Sequence, residues 1–94
     1  MRARLIESHK FTLEDGGIIE IKVWELPHRT AERAHRLKYS LFFGYRGERV
    51  VGYDNETGKG DHRHYRDREE AYHFTTFERL LSDFWKDVMR AVAK

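Results

Sequence analysis

Polar and apolar residues alternate along the first part of the chain in the manner of β-strands. Residues 2–13 contain many β-tolerant residues and no helical stripe, and they end at the turn-forming cluster Glu14-Asp15-Gly16-Gly17. The segment from Ile18 to Leu26 points one set of side chains, Ile19, Ile21 and Val23, to a single face. The two segments predict a β-hairpin. Pro27 ends its second strand, because proline cannot donate a hydrogen bond to the ladder.

A second alternating pair follows. Leu37 to Tyr45 places Leu37, Tyr39, Leu41, Phe43 and Tyr45 on one face. The chain turns at Arg46-Gly47-Glu48, and Arg49 to Asp54 returns as a fourth strand. The turn can centre on Arg46-Gly47 or on Gly47-Glu48. A slip of one residue moves a side chain to the other face, so the facing of Tyr53 stays open.

The next part of the chain is more polar. Asn55 to Gly60 predicts a loop, because asparagine and glycine tolerate a positive φ. Asp61 to Arg68 suits an exposed edge strand or an extended loop. Tyr72-His73-Phe74 is a short apolar-polar-apolar segment, and it predicts a fifth strand at the edge of the sheet.

A helix is the clearest element of the sequence. Thr75 and Glu78 match a capping box. Beyond them runs an apolar stripe at helical spacing, formed by Phe77, Leu80, Leu81, Phe84, Trp85, Val88 and Val92. One amphipathic helix and one half-apolar sheet bury each other, which predicts a single α+β domain over residues 1–94. The prediction is an antiparallel meander of four to five strands with the C-terminal helix on one face, and a core around Trp24, Phe43, Phe77, Leu81 and Phe84.

Composition narrows the class of protein. A chain of 94 residues has room for one core, and the absence of cysteine excludes disulfides and thiolate chemistry. No apolar run approaches the roughly 20 residues that span a bilayer, and the N-terminus lacks a signal-peptide core. We therefore expect no contact with membranes and a cytoplasmic location. The net charge is only +2, but bases cluster in Arg29 to Lys38 and in Lys59 to Arg68, which would form a basic cleft if the fold joined them.

His62 and His64 are the sharpest candidates for chemistry. Residues two apart in an extended segment point to the same side, so both imidazoles would face one pocket. A histidine pair can supply one base and one acid near neutral pH, as RNA cleavage by the 2′-hydroxyl requires. Nearby residues would bind phosphate or stack on a base: Lys59, Arg63, Arg66, Tyr53 and Tyr65. The plain alternative is two exposed histidines in a charged loop.

The residues around the pair have simpler interpretations. Asp54 and Asn55 would shape the turn through bonds to the backbone, together with Gly58, Gly60 and Asp61. The histidines could also bind Zn²⁺ or Mn²⁺ with carboxylates from Asp54, Asp61, Glu69 or Glu70. Because the neighbouring arginines oppose a cation, we predict no metal and no other cofactor.

One long motif resembles a known family. It runs Tyr53-Asp54-Asn55-x-x-Gly58-Lys59-Gly60-Asp61-His62-Arg63-His64, continues as Glu70-x-Tyr72-x-Phe74, and ends in Leu81-x-Asp83-Phe84-Trp85. Together with the first hairpin (Leu13-Glu14-Asp15-Gly16 to Val23-Trp24-Glu25-Leu26-Pro27) and Arg36-x-Lys38-Tyr39, this pattern is similar to the TumE-type toxins of toxin–antitoxin modules. The resemblance implies a toxin and a cognate antitoxin, a helix-turn-helix DNA-binding protein.

Three hypotheses of function remain. The first is a toxin that cleaves RNA without metal through His62 and His64. The second is a non-catalytic module that binds nucleic acid or protein, with a steep dependence on salt and no turnover. The third is a metal-dependent nuclease, which would lose its activity in a chelator.

Overall fold

The fold is a six-stranded meander with one helix. A computed structural model describes residues 3–31, 33–56 and 58–93, and within these ranges all neighbouring strands are antiparallel and follow chain order. The elements are β1 Arg4–Thr12, β2 Gly17–Glu25, β3 Leu37–Tyr45, β4 Glu48–Asp54, β5 His62–Tyr65, β6 Arg68–Ala71 and α1 Phe77–Val92. The predicted α+β class, the meander and the C-terminal helix are confirmed. The sheet has six strands, one more than the upper end of the predicted four to five.

The core lies between the sheet and α1. Alternate residues of β2, β3 and β4 point toward the helix and are buried against Leu80, Phe84 and Val88: Ile19, Ile21, Val23, Tyr39, Leu41, Phe43, Val51 and Tyr53. Phe43 and Phe84 are core residues as predicted, whereas Phe77 and Leu81 are only partly buried beside them. We call the other side of the sheet, which α1 leaves uncovered, the open face.

Trp24 was wrongly predicted to lie in the core. It belongs to the set of β2 residues out of phase with Ile21 and Val23, so its side chain stands on the open face. There it is half-buried, opposite Lys38 of β3, whose Nζ lies 5.9 Å from the centre of the indole ring.

The β5–β6 hairpin corrects the prediction for the polar segment. Residues 62–65 form an internal strand between β4 and β6, and the edge strand is Arg68–Ala71. Tyr72-His73-Phe74 is not a strand. Instead, the Tyr72 backbone N–H donates to Asp61 O at 3.0 Å and its hydroxyl donates to Asp83 Oδ2 at 2.6 Å, so the segment connects the sheet to the helix.

The helix begins one residue later than the capping-box prediction. Thr76, not Thr75, is the N-cap, and its Oγ1 accepts a 3.0 Å hydrogen bond from the Arg79 N–H. Either threonine can cap a helix, and the apolar stripe starting at Phe77 fits the later start. Glu78 remains in the first turn, where its charge suits the positive end of the helix dipole.

The β3–β4 turn fixes the face of each residue in β4. Arg46 and Gly47 both have a positive φ, 52° and 81°, which selects the turn centred on these two residues. A bulge follows, because Gly44 pairs with Arg49 while Phe43 pairs with Val51. The extra residue lets Val51 and Tyr53 face the core while Arg49 points to the open face.

Candidate functional site

The two histidines lie side by side on the open face. In β5, His62 pairs with Asp54 and His64 pairs with Gly52 of β4, so both imidazoles stand on the side away from the helix. Their ring centroids are 5.1 Å apart and the ring planes are nearly perpendicular, at 76°. The strand period therefore places the pair in one site.

The environment of His62 holds one defined ring orientation. The side chain is only 8% exposed, and its Nδ1 lies 3.1 Å from the Gly60 carbonyl, which can only accept. Nδ1 is therefore the protonated donor, and Nε2 faces the carboxylates. Nε2 lies 2.7 Å from Asp54 Oδ1 and 3.5 Å from Glu69 Oε2.

Asp54 Oδ1 is buried, yet no hydrogen-bond donor among the described residues is aligned with it. Its 2.7 Å contact with Nε2 of His62 is short but lies off the direction of an N–H bond. The carboxylate and the imidazole nitrogen are thus adjacent and do not saturate each other. A buried acceptor without an aligned donor is uncommon in proteins.

His64 has the opposite arrangement. Arg49 Nη2 lies 2.9 Å from its Nδ1, and because a guanidinium can only donate, Nδ1 accepts. Nε2 then carries the proton and lies 3.3 Å from Glu69 Oε2. Burial and the positive charge of Arg49 lower the pKa of His64 below its usual value, and Glu69 opposes them more weakly. Both effects favour the neutral form of His64.

Arg49 is a residue that the sequence did not reveal. Strict alternation would place it on the same face as Val51 and Tyr53, and only the bulge brings it to the open face. Its side chain crosses the sheet over Gly52, where an added Cβ would lie 2.4 Å from Arg49 Cδ. A glycine opposite His64 is what leaves this path open.

Two of the predicted substrate-binding residues lie on the wrong side of the sheet. Tyr53 is completely buried, and its hydroxyl donates to Asp87 Oδ2 at 2.6 Å, so it cannot stack on a base. Arg63 alternates with the histidines, faces the helix side and forms a 3.1 Å ion pair with Asp87. Its guanidinium lies 5.6 Å from the centre of the Tyr53 ring. Both residues belong to the contact between sheet and helix.

The other predicted bases divide between the two sides. Arg66 lies in the β5–β6 turn with φ 57°, packs its guanidinium 5.7 Å from the Tyr65 ring centre, and lines a groove on the helix side. Lys59 is exposed in the loop before β5 and lines a groove with His62 and Glu69. Lys59 thus lies in the same groove as His62, whereas Arg66 lies on the other side of the sheet. In the first basic run, Arg36 donates to the Leu26 carbonyl at 3.0 Å.

The loop residues hold the chain that leads into β5. Asn55 is buried, and its side chain accepts from the Tyr39 N–H at 3.0 Å and donates to the Leu37 carbonyl at 2.7 Å. Asp61 accepts a 2.7 Å bond from the Tyr39 hydroxyl and contacts His35 Nε2 at 3.2 Å. Gly58 and Gly60 have the positive φ that their residue type favours, 87° and 71°. Asp54, by contrast, ends β4 beside His62 and is not part of the loop.

A groove with mixed chemistry continues from Asp54 across the open face. It is lined by Trp24, Lys38, Ser40, Asp54 and Glu56. The half-buried indole of Trp24 is an aromatic surface on this side, with the Lys38 ammonium beside it. An aromatic ring, a base and a histidine pair thus share one uncovered sheet surface.

Comparison with protein families gives a defined relationship. A family model described as toxin TumE matches residues 2–92, nearly the whole chain. The chain belongs to the TumE toxin family. Membership indicates a toxin of a toxin–antitoxin module and implies an antitoxin partner. The searches of curated proteins and of solved structures gave no match.

The TumE assignment and the sequence resemblance agree over the central motif and the first hairpin. No helix in the described part of the chain is long and apolar enough to cross a membrane.

Proposed function

We propose that this TumE-family toxin acts on RNA as a metal-independent endoribonuclease, with His62 and His64 as its acid–base pair. The observation that carries the proposal is the contrast between two neighbouring imidazoles: one faces carboxylates, and the other accepts from an arginine. Two neighbouring titratable groups in different environments are typical of acid–base pairs.

His64 suits the role of base. Its lowered pKa favours the neutral form, which can accept a proton. Arg49 occupies Nδ1 in this structure, and a phosphate is a stronger partner for a guanidinium than a neutral imidazole is. When Arg49 turns to the phosphate of a bound RNA, Nδ1 of His64 becomes free to accept the proton of the 2′-hydroxyl.

His62 suits the role of acid. Its Nδ1–H is held by Gly60 O, so the protonated ring presents its second proton at Nε2, and the nearby Asp54 carboxylate offsets the positive charge. The 2′-oxygen attacks phosphorus, the bond to the 5′-oxygen breaks, and His62 gives its proton to that leaving oxygen. The products are a 2′,3′-cyclic phosphate and a 5′-hydroxyl.

Cations on the open face can stabilise the negative charge that develops on the phosphoryl oxygens during cleavage. Arg49 lies against His64, and Lys59 lines the groove beside His62. A preorganised cation at such a position stabilises the charge of the transition state. Trp24 takes the base-stacking role that the sequence assigned to Tyr53, since single-stranded RNA is commonly bound by exposed aromatic rings.

The decisive assay is RNA cleavage in a chelator. Purified wild type, the double variant His62→Ala/His64→Ala and the control His73→Ala are incubated with total RNA in excess EDTA. His73 is exposed and lies outside the strands. We expect cleavage by the wild type and the control, and a loss of about 100-fold or more in the double variant. Equal cleavage by all three proteins, or none by the wild type, would refute the proposal.

One observation favours a second candidate, a metal-dependent nuclease. A ligand atom from each of Asp54, His62 and His64 lies within 4.8 Å of the other two. In that case the wild type is inactive in EDTA, and one added divalent ion restores cleavage. RNA binding without turnover in either condition would instead support a binding module.

The proposal extends to the partner and the cellular location. The sequence resemblance favours a helix-turn-helix antitoxin, and we propose a cytoplasmic site of action, where RNA is accessible. Co-expression of the toxin with a helix-turn-helix protein encoded beside it should give a complex that survives gel filtration. Separate elution of the two proteins would contradict this assignment of the partner.

A further inference from the structure

Asp54 and His62 bring two potential ligand atoms close together. Asp54 Oδ1 is buried without an aligned donor among the described residues, and His62 Nε2 lies 2.7 Å from it. With one nitrogen of His64, these atoms form a group within 4.8 Å of one another. A carboxylate and two imidazoles are a donor set that Zn²⁺ and similar transition metals bind.

His62 is already oriented as metal-binding histidines are. Its Nδ1–H is directed at the Gly60 carbonyl, which leaves the lone pair of the neutral ring on Nε2. A ring fixed in this way by a backbone carbonyl is the usual support of a histidine ligand. Gly60 reaches this position with a φ of 71°, so the loop geometry and the ring orientation are linked.

The site can open to admit an ion. Two ligand atoms of a tetrahedral zinc ion, each about 2.1 Å from the metal, are roughly 3.4 Å apart. The 2.7 Å distance between Asp54 Oδ1 and His62 Nε2 must therefore widen by less than about 1 Å. A small rotation of Asp54 achieves this, and Oδ1 has no aligned hydrogen bond within the described chain to lose.

The charged side chains around His62 and His64 oppose a cation less than the sequence predicts. The expected repulsion came from Arg63 and Arg66, but Arg63 pairs with Asp87 on the helix side and Arg66 lies in the turn beyond β5. On the open face, Glu69 places Oε2 3.5 Å from His62 Nε2 and 3.3 Å from His64 Nε2. Among the described residues, the carboxylates of Asp54 and Glu69 thus adjoin the histidines, against the guanidinium of Arg49 and the ammonium of Lys59 in the groove beside His62.

We propose that Asp54, His62 and His64 bind one transition-metal dication of the Zn²⁺ type, and that the bound ion switches the acid–base pair off. The ion takes the Nε2 lone pair of His62, so this ring can no longer carry a proton to a leaving group. The inhibition rests on the proposed ribonuclease function, whereas the metal site does not.

Arg49 sets the affinity of this site. A neutral imidazole that accepts a hydrogen bond at Nδ1 carries its proton on Nε2, so His64 cannot ligate through Nε2 while Arg49 holds Nδ1. Metal binding by His64 therefore requires Arg49 to leave. Removing the guanidinium frees the ring and removes a positive charge, and the variant Arg49→Met should bind the ion more tightly than the wild type.

The test is a zinc titration against a chelating dye, which needs no activity measurement. We expect one Zn²⁺ per wild-type chain, affinity at least about tenfold weaker in Asp54→Asn and His62→Ala, and tighter binding in Arg49→Met. His73→Ala should match the wild type. Circular dichroism and thermal unfolding verify that each variant is folded. If His62→Ala does not fold, the near-isosteric variant Asp54→Asn alone tests the site. A wild type that binds no zinc, or variants that all bind alike, would overturn the site.

A parallel arm measures RNA cleavage. The wild type, freed of metal with EDTA and then exchanged into chelator-free buffer, should cleave RNA and lose this activity as stoichiometric Zn²⁺ is added. Zinc binding without loss of cleavage overturns the inhibition. Metal-free protein that cleaves only after zinc is added also overturns it and refutes the metal-independent mechanism, while the binding site stands. If no cleavage occurs in any condition, the proposed function fails, and with it the inhibition, and the titration alone decides the site.

Discussion

Arg49 donates a 2.9 Å hydrogen bond to Nδ1 of His64 across the position of Gly52. This contact unites three features of β4: the bulge that turns Arg49 to the open face, the glycine that leaves room for it, and the strand register that sets Gly52 opposite His64. It fixes the tautomer of His64 and contributes to its lowered pKa. In the proposed mechanism the same arginine moves to the phosphate of the substrate.

Gly52→Ala should disrupt the site through Arg49. The new Cβ would lie 2.4 Å from Arg49 Cδ, so the arginine must leave His64. We expect RNA cleavage to fall about 100-fold, as when one charge-stabilising donor is removed, with little change in urea unfolding. Arg49→Met should lose as much, and the double variant no more than either, because both changes remove the same interaction. Additive losses would show that Gly52 acts independently of Arg49.

The pH dependence of cleavage should also depend on Arg49. The base must be neutral, so activity rises with pH through the pKa of His64, which burial and Arg49 hold below the usual value near about 6.5. In Arg49→Met one cause of the lowering is gone, the pKa rises, and the acidic limb of the pH–rate profile shifts to higher pH. Lys10→Met, which removes a cation from the β1 edge strand, should leave the limb in place. An unshifted limb in Arg49→Met would argue against His64 as the base.

Tyr53 should matter for stability and not for chemistry. Tyr53→Phe removes the 2.6 Å hydrogen bond to buried Asp87 and should cost about 1–3 kcal/mol in urea unfolding. The Arg63 ion pair at 3.1 Å still compensates Asp87, which favours the low end of that range. Tyr45→Phe, which breaks an exposed bond to Asp15, is the matched control and should cost less. Cleavage per folded molecule that falls sharply in Tyr53→Phe would contradict its placement in the core.

Trp24 should report RNA binding directly. A base stacked on its indole would quench its fluorescence, and Trp24→Ala should weaken binding of non-cleavable 2′-O-methyl RNA by about 1–3 kcal/mol, with Trp24→Phe intermediate. The second tryptophan is an internal control, because Trp85 lies on the helix and packs at 6.2 Å against Phe11. Quenching should therefore persist in Trp85→Phe and disappear in Trp24→Phe. The reverse pattern would place the RNA on the other side of the sheet.

The sequence predicted the parts of the fold that repeat at a regular period. The alternation of Ile19, Ile21 and Val23 and the stripe from Phe77 to Val92 follow the periods of a strand and a helix, and both elements have the expected faces. The same period places His62 and His64 together and, applied strictly, also separates Arg63 from them. Its position between the two histidines in the sequence had suggested instead that Arg63 lies in the same site.

Other features could not be obtained from periodicity. The bulge at Gly44 and Arg49 adds a residue that no hydrophobic pattern marks, so Arg49 was assigned no role. Trp24 was placed in the core because of its residue type, although its position in β2 is out of phase with the core residues. The predicted N-cap lies one residue before the observed one, because either of the two adjacent threonines can cap a helix. Contacts between distant residues, such as Tyr53 with Asp87, follow from packing and not from local pattern.

Analysis of the ends of the RNA products tests the central claim most directly. A defined single-stranded RNA is incubated with wild-type protein in EDTA, and the fragments are identified by mass spectrometry. The His62–His64 mechanism predicts 2′,3′-cyclic phosphate and 5′-hydroxyl ends, and no cut at a position whose 2′-hydroxyl is methylated. Fragments with 5′-phosphate ends, or cleavage at the methylated position, would contradict the mechanism.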